Sequence, residues 1–170
     1  MTTELYDNIE TRTSHEAISA LCEALPEPFV LLGGWAVHYL VTESYYKEHG
    51  VSYLGSRDVD LGFHIDPAWS RDELSNSTFA IALDTLESIG YIPIGTSRYH
   101  KIVHSSTGKW LGEQEAKKYL VSDLFYLYVD PITDNIHPYH SSLFKIKPID
   151  DATLTTAFEK GSFEKVSIDD

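Results

Sequence analysis

The sequence predicts an α/β (α+β) fold, a mixed β-sheet with helices packed on it. Three observations predict it. Apolar runs of strand length alternate with segments of helical period through the first ninety residues. The later strand-like runs follow one another at hairpin spacing, which an all-parallel sheet does not allow. A chain of 170 residues, 42% of them hydrophobic, is long enough for one core and not obviously for two, so 1–170 reads as one domain.

The elements follow in order. Thr13 and Glu16 have capping-box spacing, and Ile18, Leu21, Cys22 and Leu25 then recur at helical intervals. Pro26 and Pro28 end that helix. The run 29–32 is apolar throughout, the pattern of a buried strand, and Gly33-Gly34 follow at once. The segment 35–46 reads as a helix with Val37, Leu40 and Val41 inward. A polar, tyrosine-rich loop leads into 57–65, where Val59, Leu61, Phe63 and Ile65 face one way and Asp58, Asp60, Gly62 and His64 the other. A helix over 76–89 carries Phe79, Ala82, Leu83, Leu86 and Ile89 on one stripe, with Gly90 as its cap. Strands are expected at 91–94 and 98–104, with a turn at 106–108. The stretch 113–118 fits a short helix or a strand lead-in. The strongest strand signal is 119–129, rich in β-branched and aromatic residues. A loop at 131–135, a strand at 143–146 and a short helix at 151–158 complete the order, with an acidic tail over 149–170.

Charge narrows the function. Lys and Arg total 13 against 26 Asp and Glu, a net charge of −13. Such a surface repels phosphate backbones, so a duplex nucleic-acid reader is not expected. No apolar run spans a bilayer, and the first residues lack an apolar signal core, which points to a reducing cytoplasm. The single cysteine, Cys22, excludes an internal disulfide and a cysteine zinc cluster, and reads as a small core residue. His100 and His104 lack a third ligand for zinc.

Three features carry chemistry together. A diglycine between strand and helix lets a ligand approach the backbone, beside helix N–H groups that attract anions, although such turns also contain glycine for geometry alone. Asp58 and Asp60, two apart on a strand, project from one face. Held that close they repel unless a cation lies between them, and hard carboxylate oxygens suit Mg²⁺ (or Mn²⁺); a solvated polar face is the other reading. Asp123 interrupts the most hydrophobic strand, where a carboxylate calls for a metal, a partner cation or an open strand end. Ser56 and Arg57 precede the acidic strand, within reach of phosphate; Arg98 and Lys101 lie between the motifs, as triphosphate neutralisers or as ordinary surface ion pairs. Tyr45, Tyr46 and Tyr53 in the preceding loop either stack on a base or pack on their own domain.

The segments LLGGWAV (31–37) and SRDVDL (56–61) resemble the nucleotidyltransferase (DNA polymerase β-like) superfamily, nearest the aminoglycoside and lincosamide nucleotidyltransferases and the AbiEii-type toxins. The resemblance covers roughly 29–128 and implies a nucleotidyltransferase fold. It implies that the Gly33-Gly34 turn holds a nucleoside triphosphate and that Asp58 and Asp60 bind catalytic divalent metals. A third acidic residue on a later strand, matched to Asp123, then completes the metal site or acts as base. The activity implied is transfer of a nucleoside monophosphate from an NTP to a hydroxyl, with release of pyrophosphate. The acidic balance favours a small cationic acceptor over RNA or DNA. A basic groove around Arg98, Lys101 and Lys109 would instead favour a toxin acting on tRNA or protein. A non-catalytic nucleotide-binding module and a metal-dependent phosphohydrolase are the remaining alternatives.

Overall fold

A computed structural model describes residues 9–51, 53–159, 162 and 165, which leaves the tail at 167–170 outside the described residues. The chain runs α1 (Ile9–Ala24), β1 (Val30–Leu32), α2 (Gly33–His49), β2 (Val59–Phe63), α3 (Arg71–Ser75), α4 (Thr78–Ser88), β3 (Ile92–Ile94), β4 (Arg98–His104), β5 (Trp110–Leu111), α5 (Glu113–Ala116), β6 (Leu124–Thr133), α6 (His140–Leu143) and β7 (Ile149–Asp150). Two 3₁₀ segments, Val121–Asp123 and Ala152–Phe158, flank β6 and follow β7. The strands form one mixed sheet in the order β1-β2-β6-β4-β3, with β5 beside β4 and β7 beside β6. β2 and β6 are parallel; β1–β2, β6–β4 and β4–β3 are antiparallel.

Period-two alternation divides the sheet into two unlike faces. Val59, Leu61 and Phe63 of β2, Tyr99 and Val103 of β4, and Phe125, Leu127 and Val129 of β6 belong to the main core. Ile18 and Leu21 of α1, Trp35 of α2, Leu74 of α3 and Phe79, Leu83 and Leu86 of α4 cover them. The opposite face carries Asp60, Arg98, His100, Tyr126, Tyr128 and Asp130. Helix starts use local chemistry: Ser70 and Glu73 make a reciprocal capping box on α3, and Ser77 caps α4 by accepting from the Ala80 N–H.

Several local expectations shift, each for a packing reason. The first helix already includes Ile9, four residues before Thr13, so Thr13 lies inside it, buried, and is not its cap. The neighbouring Ser14 Oγ accepts the Trp35 indole N–H at 3.0 Å. Cys22 is exposed rather than buried. In α2 the inward residues are Trp35 and His38, while Leu40 is 60% exposed and Val37 also faces out. Trp35, His38, Tyr39 and His15 instead form a cluster of ring contacts on the inward side. α2 also runs on through Tyr45 and Tyr46 to His49, where Gly50 in the left-handed region donates its N–H to the Tyr46 carbonyl. Tyr45 packs edge-on against Tyr53, and His38 Nδ1 bonds the Tyr53 carbonyl at 2.8 Å, so the tyrosine-rich connection is tied to its own helix.

β6 lies further along the chain than expected, from Leu124 through Pro131 to Thr133. Proline is tolerated because Pro131 falls in a gap. β4 pairs with β6 as far as Val129, and β7 takes over at Ile132. The expected strand at 143–146 is instead the end of α6 and a loop that buries Ile146, the final strand being β7.

This packing separates two substitutions on one helix. Trp35→Ala removes a fully buried indole and leaves Ser14 unpaired, an expected loss of about 3–5 kcal/mol. Leu40→Ala stays within about 0.5 kcal/mol. Urea unfolding of the two variants checks the assignment, and comparable losses would put Leu40 in the core.

Candidate active site

The register of the sheet assembles the polar face. Asp60 on β2 stands directly beside Asp130 on the parallel strand β6. β4 starts at Arg98, next to Tyr99, whose partner on β6 is Val129, so Arg98 comes level with Asp130 from the other side. Leu32, the last residue of β1, is the partner of Asp60 on the near side. One row therefore crosses the sheet from the start of α2 through Asp60 and Asp130 to Arg98. Asp58 joins it from just before β2, its Oδ2 3.8 Å from the Arg98 guanidinium.

The diglycine turn abuts this row. Gly33 has φ +61°, and a Cβ there would lie 2.1 Å from the Asp60 Oδ2. Two independent constraints thus require glycine: the left-handed backbone and the carboxylate against it. A Cβ on Gly34 would approach the Ser56 Cβ to 2.9 Å, and Ser56 Oγ accepts the Asp58 N–H at 3.3 Å. No side chain caps the first turn of α2, so the positive end of a 17-residue helix begins beside two carboxylates.

Charge is poorly balanced here. Asp130 is 4% exposed and receives both arms of Arg98: Nε donates to Oδ1 at 2.8 Å and Nη2 to Oδ2. The guanidinium also lies over the Tyr128 ring at 4.5 Å. Burial pushes the Asp58 and Asp60 carboxyls above the usual range. The Asp130 charge adds to the shift at both, Asp58 adds to it at Asp60, and Arg98 only partly opposes it. Among the described residues, no three His, Cys, Asp or Glu side chains are gathered closely enough to hold an ion by themselves. With Asp130 clamped by Arg98, the carboxylates left for a cation are Asp58 and Asp60. That donor set suits an ion that takes one or two carboxylates and completes its shell with phosphate oxygens.

The other sequence-predicted residues divide. Gly33, Gly34, Ser56, Asp58, Asp60 and Arg98 come together. Asp123 does not: it sits in the 3₁₀ turn before β6, its carbonyl accepting the Ser105 N–H, seven residues and about 23 Å of strand from Asp130. The acidic residue that reaches the row is Asp130. Continuing the alternation of Phe125, Leu127 and Val129 one step puts residue 130 on the outward face, a signal masked by reading Pro131 as the start of a loop. Arg57 pairs with Glu10 of α1 at 2.8 Å, with its charge still felt at Asp58. Lys101 lies on the opposite face, its Nζ over the rings of Trp110 (3.4 Å) and Tyr91 (4.4 Å), and burial lowers its pKa to about 8. Lys109 pairs with Glu115 at 2.7 Å. Arg98, Lys101 and Lys109 thus form no common groove. His64 is separately engaged: Nδ1 bonds the buried Asp134 at 2.5 Å, while the other Asp134 oxygen accepts the Ile65 N–H.

No protein-family model matches the chain, and neither does any curated protein or solved structure. No helix of the described residues is long and apolar enough to cross a membrane.

Two measurements follow from this geometry. Gly50→Ala, at φ +72° with nothing within 4 Å, should cost about 1–2 kcal/mol for the left-handed backbone alone. Gly33→Ala carries the same backbone cost plus the clash with Asp60, so equal losses would mean that the carboxylate is not held against the turn. The raised carboxyls give a sign as well. The folded state binds these protons more tightly than the unfolded one, so stability falls as pH rises from the ordinary carboxylate range through the raised values. Asp60→Asn should therefore raise the melting temperature at pH 7 without added metal and flatten that dependence; a lower melting temperature would contradict the charge assignment.

Proposed function

We propose that this chain is a metal-dependent nucleotidyltransferase of the nucleotidyltransferase fold, moving a nucleoside monophosphate from an NTP to a hydroxyl of a small acceptor and releasing pyrophosphate. The observation that carries the reading is the row itself: a diglycine helix start against Asp60, with Asp58 beside it and Asp130 level with it on the next strand. The resemblance at 31–37 and 56–61 asks for a third acidic residue on a later strand, and Asp130 answers that description where Asp123 does not.

In this reading Asp58 and Asp60 would hold Mg²⁺ or Mn²⁺, which would supply positive charge against that developing on the transferring group. Gly33 and Gly34 let the β- and γ-phosphates come close to the backbone at the α2 N-terminus, where the helix dipole favours them. Asp130 accepts the proton of the acceptor hydroxyl. Arg98 supplies positive charge beside the reacting phosphate, as the forked guanidinium is suited to do. The net charge of −13 favours a neutral or cationic acceptor over a polynucleotide.

One observation favours a second reading, a non-catalytic nucleotide-binding module: Arg98 already neutralises Asp130, as a purely structural ion pair would. Ligand-linked stability separates the two. Mg²⁺ with an NTP at a hundredfold excess over Kd should stabilise the wild type by roughly 2.7 kcal/mol. Asp60→Asn should abolish that shift and all metal-dependent NTP turnover, Asp130→Asn should spare the shift but lose turnover, and Asp123→Asn should leave both intact. A stability shift without turnover in the wild type would favour the module, and an effect confined to Asp123→Asn would overturn the role of Asp130.

A further inference from the structure

Resting on the metal-dependent reading above, we propose that Arg98 is the resident counter-cation of the carboxylate row, holding Asp130 while the site is empty and giving way when a divalent ion arrives together with a triphosphate. Both Asp130 oxygens are taken by the guanidinium, through Nε at 2.8 Å and through Nη2. A carboxylate only 4% exposed has few water partners, and the guanidinium supplies the hydrogen bonds that burial removes. The Tyr128 ring, two residues before Asp130 on the same face, lies under the guanidinium, its centroid 4.5 Å from the guanidinium carbon.

The same guanidinium also stands among the candidate metal ligands, 3.8 Å from Asp58 Oδ2. A cation bound by Asp58 and Asp60 therefore meets a positive charge already in place. Three carboxylates and one guanidinium sum to −2, so a divalent ion brings the row to zero with Arg98 still in place and leaves it at −1 once Arg98 has gone; the ion by itself therefore does not release the arginine. The Arg98 side chain is 36% exposed, which leaves it a way out. A triphosphate is the destination that rewards the move, because it accepts the same two-pronged hydrogen bonding that Asp130 gives up. Arg98 is then a positioning residue whose two anchorages couple metal and nucleotide binding. The ion alone competes with Arg98, whereas the ion delivered with triphosphate does not.

The test uses Mn²⁺ alone with the full-length protein, following free Mn²⁺ by electron paramagnetic resonance for wild type, Arg98→Gln, Arg98→Lys and Asp60→Asn. Removing the resident charge should tighten Mn²⁺ binding in Arg98→Gln by about tenfold, within the usual span of coupling between sites. Arg98→Lys, which keeps a point charge but loses the fork, should fall between wild type and Arg98→Gln; if Arg98→Gln does not fold, the direction of change in Arg98→Lys decides. Asp60→Asn should lose binding. Arginine variants that bind Mn²⁺ no more tightly than wild type, while Asp60→Asn still loses it, would overturn the role given to Arg98 and leave the metal reading standing. Binding that Asp60→Asn leaves unaltered, or no binding by wild type or either arginine variant, would overturn both.

Discussion

Parallel pairing of β2 with β6 sets Asp60 and Asp130 side by side, and the rest of the polar face answers to that one placement. Two ionised carboxylates on neighbouring strands repel, and burial removes the water that would screen them. The fold supplies two partial remedies. The α2 N-terminus lies on the β1 side, and Arg98 clamps from the β4 side, within reach of Asp58 as well. Neither offsets the burial and the neighbouring carboxylates that shift Asp58 and Asp60 upward. Unrelieved negative charge beside a helix start is unfavourable for a resting protein and useful for one that captures a cation together with an anionic ligand.

The two faces of the sheet divide structure from chemistry. One is apolar and covered by α1 to α4, whose packing fixes the strands that the other face depends on. Lys101 shows how firmly this division is enforced. It sits one strand position from His100 and three from Arg98, yet its ammonium ends among aromatic rings on the helix-packed side. Strand parity, not sequence distance from the motif, decides which basic residue joins the carboxylates.

Much of this is legible in the sequence. The alternation through 57–65 assigned Val59, Leu61 and Phe63 to the core and Asp58 and Asp60 to the other face, and the mixed sheet with its late antiparallel strands followed from spacing. The turn at Gly33-Gly34 was legible too, because an apolar strand followed by diglycine and a helical period has few other meanings. What escaped was decided by tertiary partners. The inward face of α2 went to aromatic residues held by Ser14 and the Tyr53 carbonyl, contacts 21 and 15 residues away in the chain. The third carboxylate escaped because proline was read locally, as a breaker, when the neighbouring strands leave it a place without a donor to miss.

Pro131 has a further consequence. β6 is flanked by two different strands in succession, and the proline occupies the one interval where neither needs its N–H. Sliding β6 by one residue would carry Asp130 round to the apolar side and shift the proline out of that interval into the ladder. A misaligned strand is thus penalised at two adjacent positions for unrelated reasons, one electrostatic and one steric. The dipeptide Asp130-Pro131 works as a parity check written into the chain, rejecting the off-by-one pairing that would scatter the acidic row.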